Sequence, residues 1–496
     1  MTAEYRPGDN VPSIYDRIHA AIQPNGELPP SFSVQSSKDD EIAWADGAWD
    51  GVCCYHNPLE TPDLTPMILV LRRGASHVFA HAKMALPEVF PDADHSMLAY
   101  IDATHDWILD HSEELDARNL YLFARHLLFY SPEVESVKLA LSLMAIISNP
   151  SDEDARQAVR ELAASDEFTL FALFTVSSWE NKNEEIFHIA QRVHGWGRIH
   201  AVKELEPTTD EIRRWLLFEG VNNNVMPEYS ALTVAKKIDL LEIVRAADRN
   251  SEDFIAASNI LQALIECEGG PTVGIEEYEH EEELLRTYID KARLAMPNEN
   301  IYRVLLSIKL NYNYEDDEEQ EDLQSLAKEA ANVLSSASCL HYMGRKAEQG
   351  ECLRLAAELG IDCSKEIKSA FRKDWRKQSA MLSFLKNPDD VIEMADFFLA
   401  NVKDEDFITP KNSLVGGAGN FTYETLLEKM SGYSPEEAQL LEMGLRTPVV
   451  RSRLATLKRL RQWKENNRLT DALRKAIDKW KNNESDLKVR FEYQDL

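Results

Sequence analysis

The chain has 496 residues, of which 85 are acidic and 54 basic, giving a formal charge of −31. A field of that sign repels nucleic acid and anionic lipid surfaces, so neither is expected as a general partner, and basic protein partners are favoured. With 44% hydrophobic and 28% charged residues the chain carries enough apolar material to fold. Its six cysteines form no C-x-x-C and no disulfide-framework spacing, which predicts a reducing, cytoplasmic setting. The first residues show no apolar signal core. The longest apolar runs, near 139–147 and 168–176, fall well short of the roughly 20 residues a spanning helix needs, so no membrane is expected.

Residues 1–74 are broken by Pro24, Pro29, Pro30, Pro58, Pro62 and Pro66 and read as an irregular N-terminal cap with some helix. Phe32-Ser33-Val34 and Met67-Ile68-Leu69-Val70-Leu71 fit short strands or helix starts. From about Ser76 the pattern is helical. Pro132, Pro150, Pro207, Pro227, Pro297, Pro388 and Pro448 each stand at a plausible helix start. Val449 to Leu457 and Ser131 to Leu141 follow the pattern of a HEAT repeat's second helix, with apolar residues at helical spacing. The predicted fold is therefore all-α: an α-solenoid of HEAT-like helix pairs behind the N-terminal cap. Residues 75–312 form the first repeat array. Residues 313–345 form an acidic linker and connecting helix, with the run Tyr314 to Asp322 inside it. Residues 346–496 carry further repeats and a basic end rich in Arg and Lys from Arg451 to Lys481. Lys488 to Tyr493 alternates and predicts a terminal strand.

The stretch 179–244 has the clearest punctuation. Thr208 and Glu211 have capping-box spacing, and Pro207 discourages helix upstream. Ile212, Trp215 and Leu216 share a face, and Gly220 fits a left-handed helix stop. Its turns hold polar and aromatic groups, the kind a rigid scaffold presents for binding: His194, Trp196, Arg198 and His200, beside Asn222, Asn223 and Asn224. The bland alternative is that Trp196 packs between repeats and the asparagines supply turn conformations.

Chemical motifs are sparse. Gly195-x-Gly197-x-x-His200 lacks a third glycine and follows a helix, whereas a dinucleotide fingerprint follows a strand. Glu185-x-x-His188 and Glu277-x-x-His280 have the i, i+3 spacing of di-iron carboxylate helices, so these four residues are the metal-ligand candidates. Cys53-Cys54-Tyr55-His56 is a weaker cluster, read as buried structure.

The run His194-Gly195-Trp196-Gly197-Arg198-Ile199-His200, with Glu206-Pro207-Thr208-Thr209, Trp215-Leu216-Leu217 and Asn223-Asn224-Val225-Met226, resembles bacterial proteins named limonene hydroxylase. The resemblance covers most of residues 75–450. It implies NAD(P)H-dependent monooxygenation of limonene to carveol or perillyl alcohol, with onward oxidation of the alcohol by NAD. It carries no catalytic residues over. Read from the residues alone, the alternative is a non-catalytic scaffold whose helical surface binds a protein or peptide partner.

Overall fold

The computed structural model describes residues 11–34, 44–91, 95–267, 272–312, 321–430 and 432–496, except 408–415. The acidic run Tyr314 to Asp322 therefore lies almost wholly outside the described residues, as do the first ten. Among the described residues the fold is all-α, with 28 α-helices, short 3₁₀ turns and no strand. The chain forms two compact units, Met1–Met296 with Val304–Ala330, and Pro297–Arg303 with Ala331–Leu496.

The first unit holds α1 (Ile14–Ala21), α2 (Ala48–Tyr55), α3 (Thr65–Ala75), α4 (Phe79–Val89), α5 (Met97–Asp110), α6 (Ala117–Tyr130), α7 (Val134–Ile146), α8 (Glu153–Leu162), α9 (Asp166–Val176), α10 (Lys182–Arg192), α11 (Trp196–Glu204), α12 (Asp210–Glu219), α13 (Glu228–Ile238), α14 (Leu240–Ala246), α15 (Glu252–Glu266) and α16 (Glu281–Ala292). Met67 to Leu71 lies inside α3, where Met67, Val70 and Leu71 are buried at helical spacing. Helices α7, α9, α11, α13 and α15 pack each on the next of that series, with even-numbered helices alongside. α7 and α9 are buried on nearly every side, which explains why their sequences lack a polar face.

Caps set where these helices begin. Asp116, Asp152 and Ser251 each accept from an amide three residues on. At α12 the cap is Thr209, which accepts from Ile212 N at 3.2 Å. Thr208 is drawn off by Asn183, whose side chain donates to its hydroxyl at 2.8 Å. Gly220 ends α12 at φ −61° and not in the left-handed region. The left-handed stop falls instead on Asp239, at φ 56°, between α13 and α14.

One ionic cluster ties the N-terminal segment to α7 and α9. Lys138 of α7 is buried, and its Nζ lies 2.6 Å from Asp50 of α2, 2.6 Å from Glu167 of α9 and 3.1 Å from Glu135. Glu167 also accepts from Gly47 N at 2.7 Å, and Glu135 from Met97 N. Burial holds the Asp50 and Glu135 carboxyls above their usual range, against the pull of Lys138. Burial alone would lower Lys138; its three carboxylates overcome that and raise it well above an ordinary lysine. Next to this cluster the backbones meet closely. A Cβ on Gly51 would lie 2.2 Å from the Trp196 ring, so only glycine lets α2 sit against α11.

In the second unit several basic residues are paired within the unit. Arg453 and Glu484 form a buried pair at 3.0 Å, Arg459 meets the fully buried Glu437 at 2.6 Å, and Arg461 meets Glu492 at 2.6 Å. Residues Leu487–Glu492 form a helix where alternation predicts a strand. Asp486 caps it by accepting from Lys488 N and Val489 N at 2.9 and 3.1 Å, and these local bonds outweigh a short alternating pattern.

Replacing Lys138 by Met leaves the buried carboxyls of Asp50 and Glu167, and the partly buried one of Glu135, without their cation, and loss of one partner of a buried ion pair costs about 3–5 kcal/mol. The expected result is an opening of α2 at much lower urea, read by labelling of the buried Cys53 thiol. Labelling of Cys53 at unchanged urea concentrations would contradict the tie.

Candidate functional site

The same two helices that carry the ionic cluster also frame a cavity of about 420 Å³. α7 and α9 stay joined along their length, since Thr175 Oγ1 donates to Leu141 O at 2.8 Å. Past this point each helix runs into a turn, 148–152 after α7 and 177–181 after α9, and both turns line the cavity. Its floor is Tyr121 of α6, Met144 of α7 and Val159 of α8; its rim includes Asn149, Arg156, Trp179 and Asn181. An apolar floor under a few polar groups, at this volume, is the ordinary make-up of a ligand pocket.

Electrostatics fix the rim. Asp152 caps α8 and accepts from Tyr121 Oη at 2.9 Å and Arg125 Nε at 2.8 Å. Burial would raise its carboxyl, but the Ala155 amide, Tyr121 and Arg125 together hold it below the usual range. Burial, with the hydrogen bond to Asp152, pushes the Tyr121 hydroxyl up. Two guanidinium groups stack near Trp179, Arg156 at 4.3 Å and Arg160 at 5.2 Å from the ring centre.

Of the residues read from sequence as turn residues, Trp196, Arg198 and His200 lie inside α11, His194 just before it, and Asn222, Asn223 and Asn224 after α12. Arg198 is buried; its Nε donates to Ala190 O at 3.1 Å and its Nη1 to Asn222 O at 2.7 Å, with its guanidinium 5.2 Å from the Trp215 ring. Asn224 N donates to His194 O at 2.6 Å. Asn223 Oδ1 accepts from Val225 N and Met226 N, which shapes the turn into α13. Asn222 bonds back to Phe218 O at 3.1 Å, and His194 is half exposed, 3.5 Å from Glu27. Trp196 and His200 are buried in an aromatic group with Tyr55 and Tyr229. His200 Nε2 has no hydrogen-bond partner among the described residues. Burial, helped by Lys203, pushes its imidazole down to about 4.

The metal candidates have other partners. Glu185 forms a two-pronged bond with Arg160 at 2.8 and 3.0 Å, and His188 faces Glu184 at 4.0 Å. Glu277 lies in a 3₁₀ turn and His280 precedes α16. Among the described residues no three His, Cys, Asp or Glu side chains are grouped to hold a metal. Nor do the glycines at the start of α11 fit a nicotinamide dinucleotide. Gly195 N and Gly197 N both donate to Asp166 Oδ1, at 3.1 and 2.7 Å, so a partly buried carboxylate takes the place a pyrophosphate would need. Burial outweighs these two bonds and pushes Asp166 up to about 6.

Neither Lys138 with its carboxylates nor the cavity residues Tyr121, Arg156 and Trp179 stand out in the sequence as a site. The one usable signal is a lysine set inside the apolar run Val137 to Leu143. No family model matches the chain, and neither a curated protein nor a solved structure does.

Asp166 and His200 give this region opposed pH responses. The folded value of Asp166 lies above its ordinary 3.8, so the folded state keeps the proton longer and stability falls as pH rises from about 4 to 6. The folded value of His200 lies below its ordinary 6.5, so its contribution is complete above about 6.5 and is lost as pH falls towards 4. The two largely cancel. Relative to the parent, Asp166→Asn should therefore gain stability as pH rises from about 4 to 6, and His200→Phe should lose it. Urea unfolding at several pH values checks this; two flat difference curves would contradict it.

Proposed function

We propose that the chain is a non-catalytic α-solenoid of HEAT-like helix pairs that binds a segment of a protein partner in the cytoplasm. The successive packing of α7, α9, α11, α13 and α15 supports the solenoid. The cavity between the turns 148–152 and 177–181 carries the binding reading. It opens where two consecutive helix pairs present their turns. Met144 and Val159 offer an apolar seat for one side chain, and Asn149 offers an amide to a peptide backbone. Trp179, held by Arg156 and Arg160, supplies the rigid aromatic wall that often dominates such contacts.

The second reading is the limonene hydroxylase that the run around Trp196 implies. What favours it is the size and apolar floor of the same cavity. The Asp166-filled start of α11 counts against a dinucleotide there.

A photo-crosslinking amino acid in place of Ser178 should trap a protein partner in cells. Trp179→Ala in the same chain should cut the adduct roughly tenfold or more, as loss of an anchoring aromatic does. The same group in place of the exposed Met84 should trap nothing in common with it. No adduct at 178, together with turnover of limonene by the purified protein and NAD(P)H, would replace the scaffold reading with the enzyme.

A further inference from the structure

Arg156 lines the cavity, Arg125 and Arg160 contact the lining residues Asp152 and Trp179, and the hydrogen-bonding capacity of the three is spent unequally. Arg125 is paired, its Nε 2.8 Å from Asp152 and its Nη2 3.5 Å from Asp154. Arg160 is paired twice, to Glu153 at 2.8 Å through Nη1 and to both oxygens of Glu185 through Nε and Nη2. Arg156 lines the cavity and has only a loose ion pair, with no hydrogen bond to a carboxylate. The carboxylate within reach is Glu153, 4.0 Å from Nε and already bonded to Arg160. Arg156 Nη2 makes one long bond, 3.5 Å to Asn181 Oδ1, and its Nε is buried without an acceptor.

A guanidinium in this state is unusual inside a rim so well supplied with carboxylates. Its planar fork suits a carboxylate held by two parallel bonds. Stacking on Trp179, at 4.3 Å, limits the planes the fork can adopt, so less freedom is lost when an anion arrives. The apolar floor lies across the same space. The two features together specify a ligand with a carboxylate at one end and an apolar group at the other.

We infer that the cavity is a carboxylate-recognition site in which Arg156 holds the anion and Tyr121, Met144 and Val159 seat the apolar group next to it. This deepens the scaffold reading and rests on it for the source of the ligand: the C-terminal residue of a partner chain, apolar and with its carboxylate free. A small apolar carboxylic acid shares the chemistry and serves as the probe for the site itself. The overall charge of −31 opposes anions at long range, so recognition depends on the local fork and should weaken as salt rises.

The test uses the full chain and two matched pairs, 3-phenylpropionate against 3-phenylpropionamide, and a short peptide ending in Phe with its C-terminus free or amidated. Titration calorimetry or ligand-observed NMR reads the affinities. The expected result is a roughly tenfold preference for the free acid in both pairs, as charge-assisted bonds to a fork imply. Arg156→Gln should erase the preference, with the circular dichroism spectrum unchanged; Arg156→Lys should restore part of it. Equal binding of acid and amide to the parent chain, or binding of neither, overturns the inference. Preference within the small pair with no binding of either peptide keeps the carboxylate site and removes the peptide partner. Equal, tight binding of both peptides keeps the scaffold and removes the carboxylate site.

Discussion

The buried ammonium of Lys138 is the point on which the first unit is aligned. Apolar packing brings α7 and α9 together, but it is non-directional and tolerates sliding. A cation within 3.1 Å of three carboxylates from α2, α7 and α9 does not. Such clusters seldom add net stability over a well-packed apolar core, because each charge pays a desolvation cost. What this one supplies is register. Asp50 and Glu167 lie on different segments and reach Lys138 from different sides; Gly47 N on Glu167 then ties down the start of α2. Met144 lies six residues further along α7 than Lys138, about 9 Å at the rise of an α-helix. Fixing the helices at the ionic cluster therefore also fixes the floor of the cavity.

The charge balance around the cavity follows from the same economy. The chain is strongly acidic, and most of its arginines in this region serve carboxylates of their own helices or neighbours, as Arg160 serves Glu185 and Arg125 serves Asp152. Arg198 is different again: buried, it spends its donors on the carbonyls of Ala190 and Asn222 and closes the α12–α13 turn. Against that background Arg156 is conspicuous for what it lacks. The start of α11 shows the reverse case, a helix end whose free amides are already met by Asp166 from within the fold.

Much of the helical class was legible in the sequence, because prolines and capping residues act locally. Asp152 and Ser251 cap helices whatever the rest of the chain does. Where a second segment competes, local reading slips: Asn183 takes the Thr208 hydroxyl, and the cap moves to Thr209. At the far end, Asp486 turns an alternating run into a helix by binding two amides. The cavity was not legible. The turns 148–152 and 177–181 look like ordinary punctuation, and only tertiary packing sets them side by side. The ionic cluster was hidden for the same reason, since Asp50 precedes Lys138 by 88 residues. The stretch that draws the eye in sequence, 179–244, touches the cavity only through its first residues, Trp179 to Asn181.

Amide hydrogen exchange, compared between the parent chain and one with Lys138 replaced by Met, tests most directly whether the ionic cluster holds the cavity in shape. The account predicts that Val134–Ile146 and Asp166–Val176 are among the slowest segments of the parent. In the variant these two and the turns 148–152 and 177–181 should all exchange faster, while Ser364–Lys373 and Pro388–Asn401 in the second unit keep their rates. Faster exchange confined to α2, with both cavity turns unchanged, would contradict it.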